Sequence, residues 1–95
     1  MENHYFTTLL RLIAQPERMK ILFTLLDGDR NINELAQTLK LPATVVSNHL
    51  AKMRSEGIVD YTRYHRVLEY RLISADTAAI LNTLRNLPDK RQHTV

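Results

Sequence analysis

Apolar residues recur at helical spacing through the first half of the chain and at strand spacing later on. Tyr5, Phe6, Leu9, Leu10, Leu12 and Ile13 share one helical stripe, which predicts a first helix over residues 2–14. Pro16 stands where a helix accepts proline, in its first turn, and Glu17 suits the positive end of the helix dipole. The helix PERMKILFTLL is expected to bury Met19, Ile21, Leu22, Leu25 and Leu26 before Asp27-Gly28-Asp29 turns the chain. Asn31, with Glu34 three residues later, has the form of a capping box and opens the short helix INELAQTL. Lys40-Leu41-Pro42 breaks the pattern. A fourth helix follows to about residue 56, where Gly57 occupies the position just past its cap.

From Ile58 the period changes. IVDYTR and RVLEYRLI are rich in branched and aromatic residues, with Leu68, Tyr70 and Leu72 on one face, and predict a hairpin whose tip lies near Tyr64-His65. A last helix over residues 75–87 carries Ile80, Leu81, Leu84 and Leu87 on one side, Pro88 ends it, and residues 88–95 form a polar, frayed tail. No internal repeat interrupts this order. The expected fold class is mainly α with a β-hairpin (α+β), in the order ααααββα, as one domain over residues 1–95.

Composition narrows the chemistry. With no cysteine, disulfides, thiolate metal sites and thiol redox switching are excluded. No apolar run approaches the roughly 18 residues of a membrane span, and the opening MENHYF has an acid where a signal peptide has basic residues. A soluble cytoplasmic protein, with no membrane partner, is expected. The formal charge is +3, and its position matters more than its total. Lys40, Lys52, Arg54, Arg63, Arg66 and Arg71 stand against Glu56, Asp60 and Glu69, so the whole excess lies between residues 40 and 71. A basic half beside a neutral half is the footprint of a polyanionic partner.

Two short helices joined by a tight turn and followed by a β-hairpin make a winged helix-turn-helix, with the turn motif over residues 32–56 and the wing over residues 58–73. On a wheel of the second helix, Val45, Val46, Leu50 and Met53 gather on one side and Thr44, Ser47, Asn48, Ala51 and Ser55 on the other. The second set is short and uncharged, so it lets a helix sit deep in a major groove while its hydroxyls and amide bond base edges. Lys52 flanks that face and reaches phosphate. Small polar residues on an outer helix face are more often plain solvent surface; the basic hairpin tip, Arg63, Tyr64, His65 and Arg66, reverses those odds. Arg71 reads better as a charge that keeps an edge strand soluble. His49 borders the buried side and suits packing as well as a phosphate contact, while His4 and His93 read as surface residues near the termini.

Together these residues resemble the ArsR/SmtB-type winged-helix regulators of bacteria and archaea, without a gap from about Leu12 to Leu72. LIAQPERMKILFTLL is similar to the family's opening, INELAQTLKLPATVVSNHLAKMRSEGIV to its helix-turn-helix, and TRYHRVLEYRL to its wing. The resemblance implies a homodimeric, nucleoid-associated repressor of an inverted-repeat operator on double-stranded DNA. It implies base contacts at Ala43, Thr44, Ser47 and Asn48, and backbone or wing contacts at His49, Arg63 and Arg66. It also implies dimerisation through the first and last helices, at Tyr5, Phe6, Leu9, Leu10, Ile80, Leu81, Leu84 and Leu87.

Three departures from the family pattern carry consequences. Many relatives have glutamine where this chain has Ala43, so that base contact is expected to be either missing or shifted to Thr44 or Asn48. The wing's usual glycine is replaced by His65, so a wider tip presenting Tyr64 is expected. The cysteine metal sites are absent, and the family's last-helix zinc positions hold Asp76, Ala78, Asp89 and Gln92, with His93 adjacent. Hard oxygens with one histidine suit zinc poorly, so neither a metal site nor a cofactor is expected; Asp76 reads as an acid placed by the helix dipole. The inducer, whether small molecule, metal or protein, stays unnamed. The alternatives are a metal- or ligand-responsive repressor with a non-cysteine site, and a winged helix that binds only protein. No catalytic arrangement is present: Ser47 and His49, two apart on a helix, do not face each other.

Overall fold

The computed structural model describes residues 4–88 and contains α1 (His4–Ala14), α2 (Pro16–Leu26), α3 (Ile32–Leu39), α4 (Ala43–Ser55), β1 (Val59–Tyr64), β2 (Val67–Leu72) and α5 (Ala75–Arg85). The order is ααααββα, with the two strands in one antiparallel hairpin.

Local chemistry sets most of these boundaries. The Gln15 side chain accepts from the Arg18 backbone N–H at 2.8 Å and Pro16 begins α2, while Arg18 Nε donates to the Leu12 carbonyl at the end of α1. At α3 both halves of the capping box form: Asn31 Oδ1 accepts from Glu34 N–H at 2.8 Å, and Glu34 Oε1 accepts from Asn31 N–H at 2.9 Å. Lys40, left-handed at φ 57°, turns the chain, and extended Pro42 begins α4. The end of α4 is closed in Schellman fashion. Ile58 N–H reaches the Met53 carbonyl at 2.9 Å, Gly57 N–H reaches the Arg54 carbonyl at 3.0 Å, and Gly57 takes φ 76°. Met53 and Ile58, the apolar pair of that motif, are both buried.

Fourteen buried apolar residues form the core among the described residues. Ile21, Leu22 and Leu25 come from α2, and Leu35, Val46, Leu50 and Met53 from the helix-turn-helix. Ile58, Val59 and Tyr70 come from the base of the wing, Leu9, Leu12 and Ile13 from α1, and Leu81 from α5. Arg30 pairs with Tyr70 through two backbone bonds of 3.0 and 2.7 Å, so the segment before α3 is stitched to β2. This one-residue bridge leaves no periodic signal in the sequence.

Several expectations need correction. Met19 and Leu26 are only half-buried. Leu9 and Leu81 lie inside the subunit's own core, at 4% and 0% exposure, so they are not free for a partner. The last helix stops at Arg85, and Leu87 lies beyond it, because the residue before Pro88 is disfavoured in helical conformation. The wing tip is tight rather than wide. Tyr64 pairs with Val67 across a two-residue turn of His65 and Arg66, and His65 adopts φ 58° to make it. Asp89, Gln92 and His93 lie outside the described residues.

Candidate nucleic-acid interface

The helix-turn-helix presents one face of α4 and hides the other. Val46, Leu50 and Met53 are fully buried and Val45 half-buried, while Ala43, Thr44, Asn48, Ala51 and Ser55 are exposed. Ser47 is half-buried at the edge of the outer face. That surface therefore projects only short side chains from a helix that core packing holds rigid. Its N-terminus also differs from those of α2, α3 and α5, where Gln15, Asn31 and Ser74 each accept a backbone N–H. Pro42 has no side-chain acceptor and its carbonyl takes the Val45 and Val46 N–H groups, so the Ala43 and Thr44 amides keep their capacity for an outside acceptor.

Lys52 is exposed on the flank of the outer face, as expected. His49 points inward instead. Its side chain is 17% exposed and its Nε2 lies 2.8 Å from Glu17 Oε1 of α2. A carboxylate can only accept, so Nε2 carries the proton and that ring edge is committed within the protein. The sequence offered no local sign of this partner, which lies 32 residues away.

The wing follows a fixed register from Val59↔Leu72 to Tyr64↔Val67. Alternation sends Val59, Tyr61, Leu68, Tyr70 and Leu72 towards the core. Beyond the core, every residue from Thr62 to Val67 is exposed, so Arg63, Tyr64, His65 and Arg66 form a projecting tip with two arginines. Arg71 donates to Thr62 Oγ1 at 2.6 Å, within the hairpin. Between the end of α4 and the wing lies a groove of about 460 Å³, bordered by Ala51, Arg54, Ser55, Gly57, Tyr61 and Ile73.

Arg54, which the sequence showed only as part of the basic excess, is engaged within the protein. Its Nε donates to Asp60 Oδ1 at 2.9 Å, and its guanidinium lies 4.3 Å from the centre of the Tyr61 ring. The Arg54 hydrogen bond, then the Tyr61 backbone N–H, hold the Asp60 carboxyl below its usual range. Tyr61 meets Tyr70 edge to face at 5.3 Å, and burial pushes the Tyr70 phenol up.

Between the terminal helices, Tyr5 donates to Asp76 Oδ2 at 2.6 Å and ties the start of α1 to the start of α5. That hydrogen bond raises the Tyr5 pKa. Asp76 is thus engaged by a phenol in the first turn of α5. Tyr5, Phe6, Leu10, Leu84 and Leu87 are exposed apolar residues of these terminal segments, and Ile80 is half-buried. No cluster of three or more metal-ligating side chains occurs among the described residues, and none of their helices is long and apolar enough to cross a membrane.

A rigid helix with a short polar outer face beside a basic hairpin defines a DNA-binding protein of the winged helix-turn-helix class. Residues 15–61 match the model of bacterial regulatory proteins of the arsR family. The chain is 33% identical over 79 residues to the transcriptional activator HlyU of Vibrio cholerae, covering 83% of this chain and 73% of that one. It is 32% identical over 76 residues to the biofilm growth-associated repressor of Xylella fastidiosa, covering 80% and 67%. The crystal structure of HlyU from Vibrio vulnificus superposes with a TM-score of 0.83 at 28% identity, over 90% of this chain and 88% of that one. This chain belongs to the arsR family of bacterial regulatory proteins and is a transcriptional regulator, not an enzyme.

Proposed function

We propose that the protein is a cytoplasmic, nucleoid-associated homodimer that represses transcription by occupying an inverted-repeat operator. The observation that carries this reading is the outer face of α4, short and polar over a fully buried Val46, Leu50 and Met53. Thr44, Ser47 and Asn48 supply the hydroxyls and amide that bond base edges, and Ala43 allows close approach. Lys52, Arg63 and Arg66 contact phosphates or the adjacent minor groove, with Tyr64 and His65 carried beside them on the wing. His49 serves by holding α4 against α2 through Glu17.

Dimerisation is supported by the exposed apolar residues Tyr5, Phe6 and Leu10 of α1 and Leu84 and Leu87 at and beyond the end of α5, two helices whose starts the bond between Tyr5 and Asp76 joins. Such a patch on so small a chain calls for a partner, and a twofold axis makes it self-complementary. No metal or cofactor enters this reading. Two bound α4 helices cover the promoter, so occupancy itself excludes competing proteins.

The test is to recover duplexes from a random-sequence pool with the purified protein, then titrate them by fluorescence anisotropy at rising salt. The expected sites are inverted repeats with half-site centres about 34 Å apart, with log affinity falling linearly against log salt. No retention at low salt would overturn DNA binding, and a single unpaired half-site would overturn the dimer.

A further inference from the structure

Arg54 lies on the last turn of α4, where a cation beside the candidate DNA face would ordinarily be assigned to phosphate. Its surroundings argue otherwise. The guanidinium is bonded to Asp60 at 2.9 Å and stacked 4.3 Å from the centre of the Tyr61 ring, so both its charge and its flat face are engaged by the root of β1. Asp60 Oδ1 also accepts from the Tyr61 backbone N–H at 2.8 Å, which fixes the carboxylate itself. Tyr61 rests against Tyr70, and Tyr70 is bridged by backbone bonds to Arg30, just before α3. A continuous set of contacts therefore runs from the reading helix, through Arg54, into both strands of the wing and back to the entrance of the helix-turn-helix.

We propose that Arg54 is a positioning residue for DNA recognition: through Asp60 and Tyr61 it sets the wing against α4, so that the wing tip and the reading face engage one duplex together. The proposal rests on the DNA-binding reading above. Two contacts on one body reinforce each other only when their geometry allows simultaneous engagement. An Arg fork that both hydrogen-bonds and stacks holds such an angle, and a lysine does not. The pair itself is half-exposed, at 49% and 40%, so its role lies in orientation more than in fold stability.

The test uses a duplex selected by the wild-type protein, labelled with fluorescein, and four variants: R54K, R54Q, D60N and the wing-tip pair R63A/R66A. Wild-type binding of that duplex establishes the underlying reading, and its failure would count against DNA binding rather than against Arg54. The proposal expects R54K, R54Q and D60N each to weaken binding by about tenfold, the scale of a single polar interaction, with the salt slope unchanged. In the R63A/R66A background the R54K and R54Q losses should vanish, because the wing tip then has no grip on the duplex to position. A direct bond from Arg54 to phosphate predicts the reverse. R54K would bind like wild type, R54Q would flatten the salt slope by about one unit for the one phosphate no longer neutralised, and its loss would persist without the wing tip. Either of those results overturns the proposal. D60N leaves Arg54 in place, so it remains informative if an Arg54 variant fails to fold by circular dichroism.

Discussion

His65 takes φ 58° at the first position of a two-residue hairpin turn, a place where glycine costs nothing and a side chain is strained. His65→Gly should therefore raise stability by up to about 1 kcal/mol, read as a higher urea midpoint. An unchanged or lower midpoint would mean that the ring makes contacts worth more than the strain. Asp60 gives a prediction against pH. Its folded pKa is depressed by Arg54 and the Tyr61 N–H, so its contribution is present above the ordinary aspartate pKa, roughly 4, and is lost as pH falls through the lower folded value. Denaturant melts of wild type and D60N should converge at strongly acid pH and differ near neutrality; a gap that stays constant with pH would contradict the assignment. Both features depend on backbone angle or on contacts across a turn. The sequence showed the missing wing glycine but not how tightly the chain would turn without it.

The elements themselves were largely legible, and the reason is local. Helix starts at Pro16 and Asn31, the Gly57 stop and the period change at Ile58 are signals written within four residues of the event they cause. The same holds for the buried and exposed sides of α4, since one wheel separates Val46, Leu50 and Met53 from Thr44 and Asn48. What stayed hidden acts at a distance: Glu17 on His49, Asp60 on Arg54, and the Arg30 bridge to Tyr70. The α1 and α5 stripes misled for a related reason, because each helix serves two surfaces and periodicity alone does not divide Leu9 from Leu10 or Leu81 from Leu84. At this scale Ser74 is the sharpest test. Its hydroxyl caps α5 by accepting from Thr77 N–H at 3.1 Å and accepts from the Thr77 hydroxyl at 2.8 Å, with Thr77 fully buried. Ser74→Ala should cost about 1–3 kcal/mol through the missing cap and the orphaned hydroxyl, whereas Thr83→Ala, on the exposed side of the same helix, should cost little. Equal losses in thermal melts would show that the cap does not hold the helix.

In the proposed function the whole molecule divides its surface by task. One side offers α4 and the wing; the terminal helices expose Tyr5, Phe6, Leu10, Leu84 and Leu87. Leu10→Glu places a charge in the proposed interface without entering the core, since Leu10 is 52% exposed. Sedimentation should find a folded monomer with weakened operator binding, and a variant that remains dimeric would move the interface elsewhere. The central claim is narrower: the short polar face of α4 reads bases while the wing holds the backbone. Comparing base preferences of N48A, T44A and R63A/R66A across every single-base change of the selected operator tests it most directly. The account predicts that N48A and T44A lose discrimination at particular positions, by about 1–3 kcal/mol each, while R63A/R66A weakens all sequences alike. Unchanged preferences in both α4 variants would contradict it.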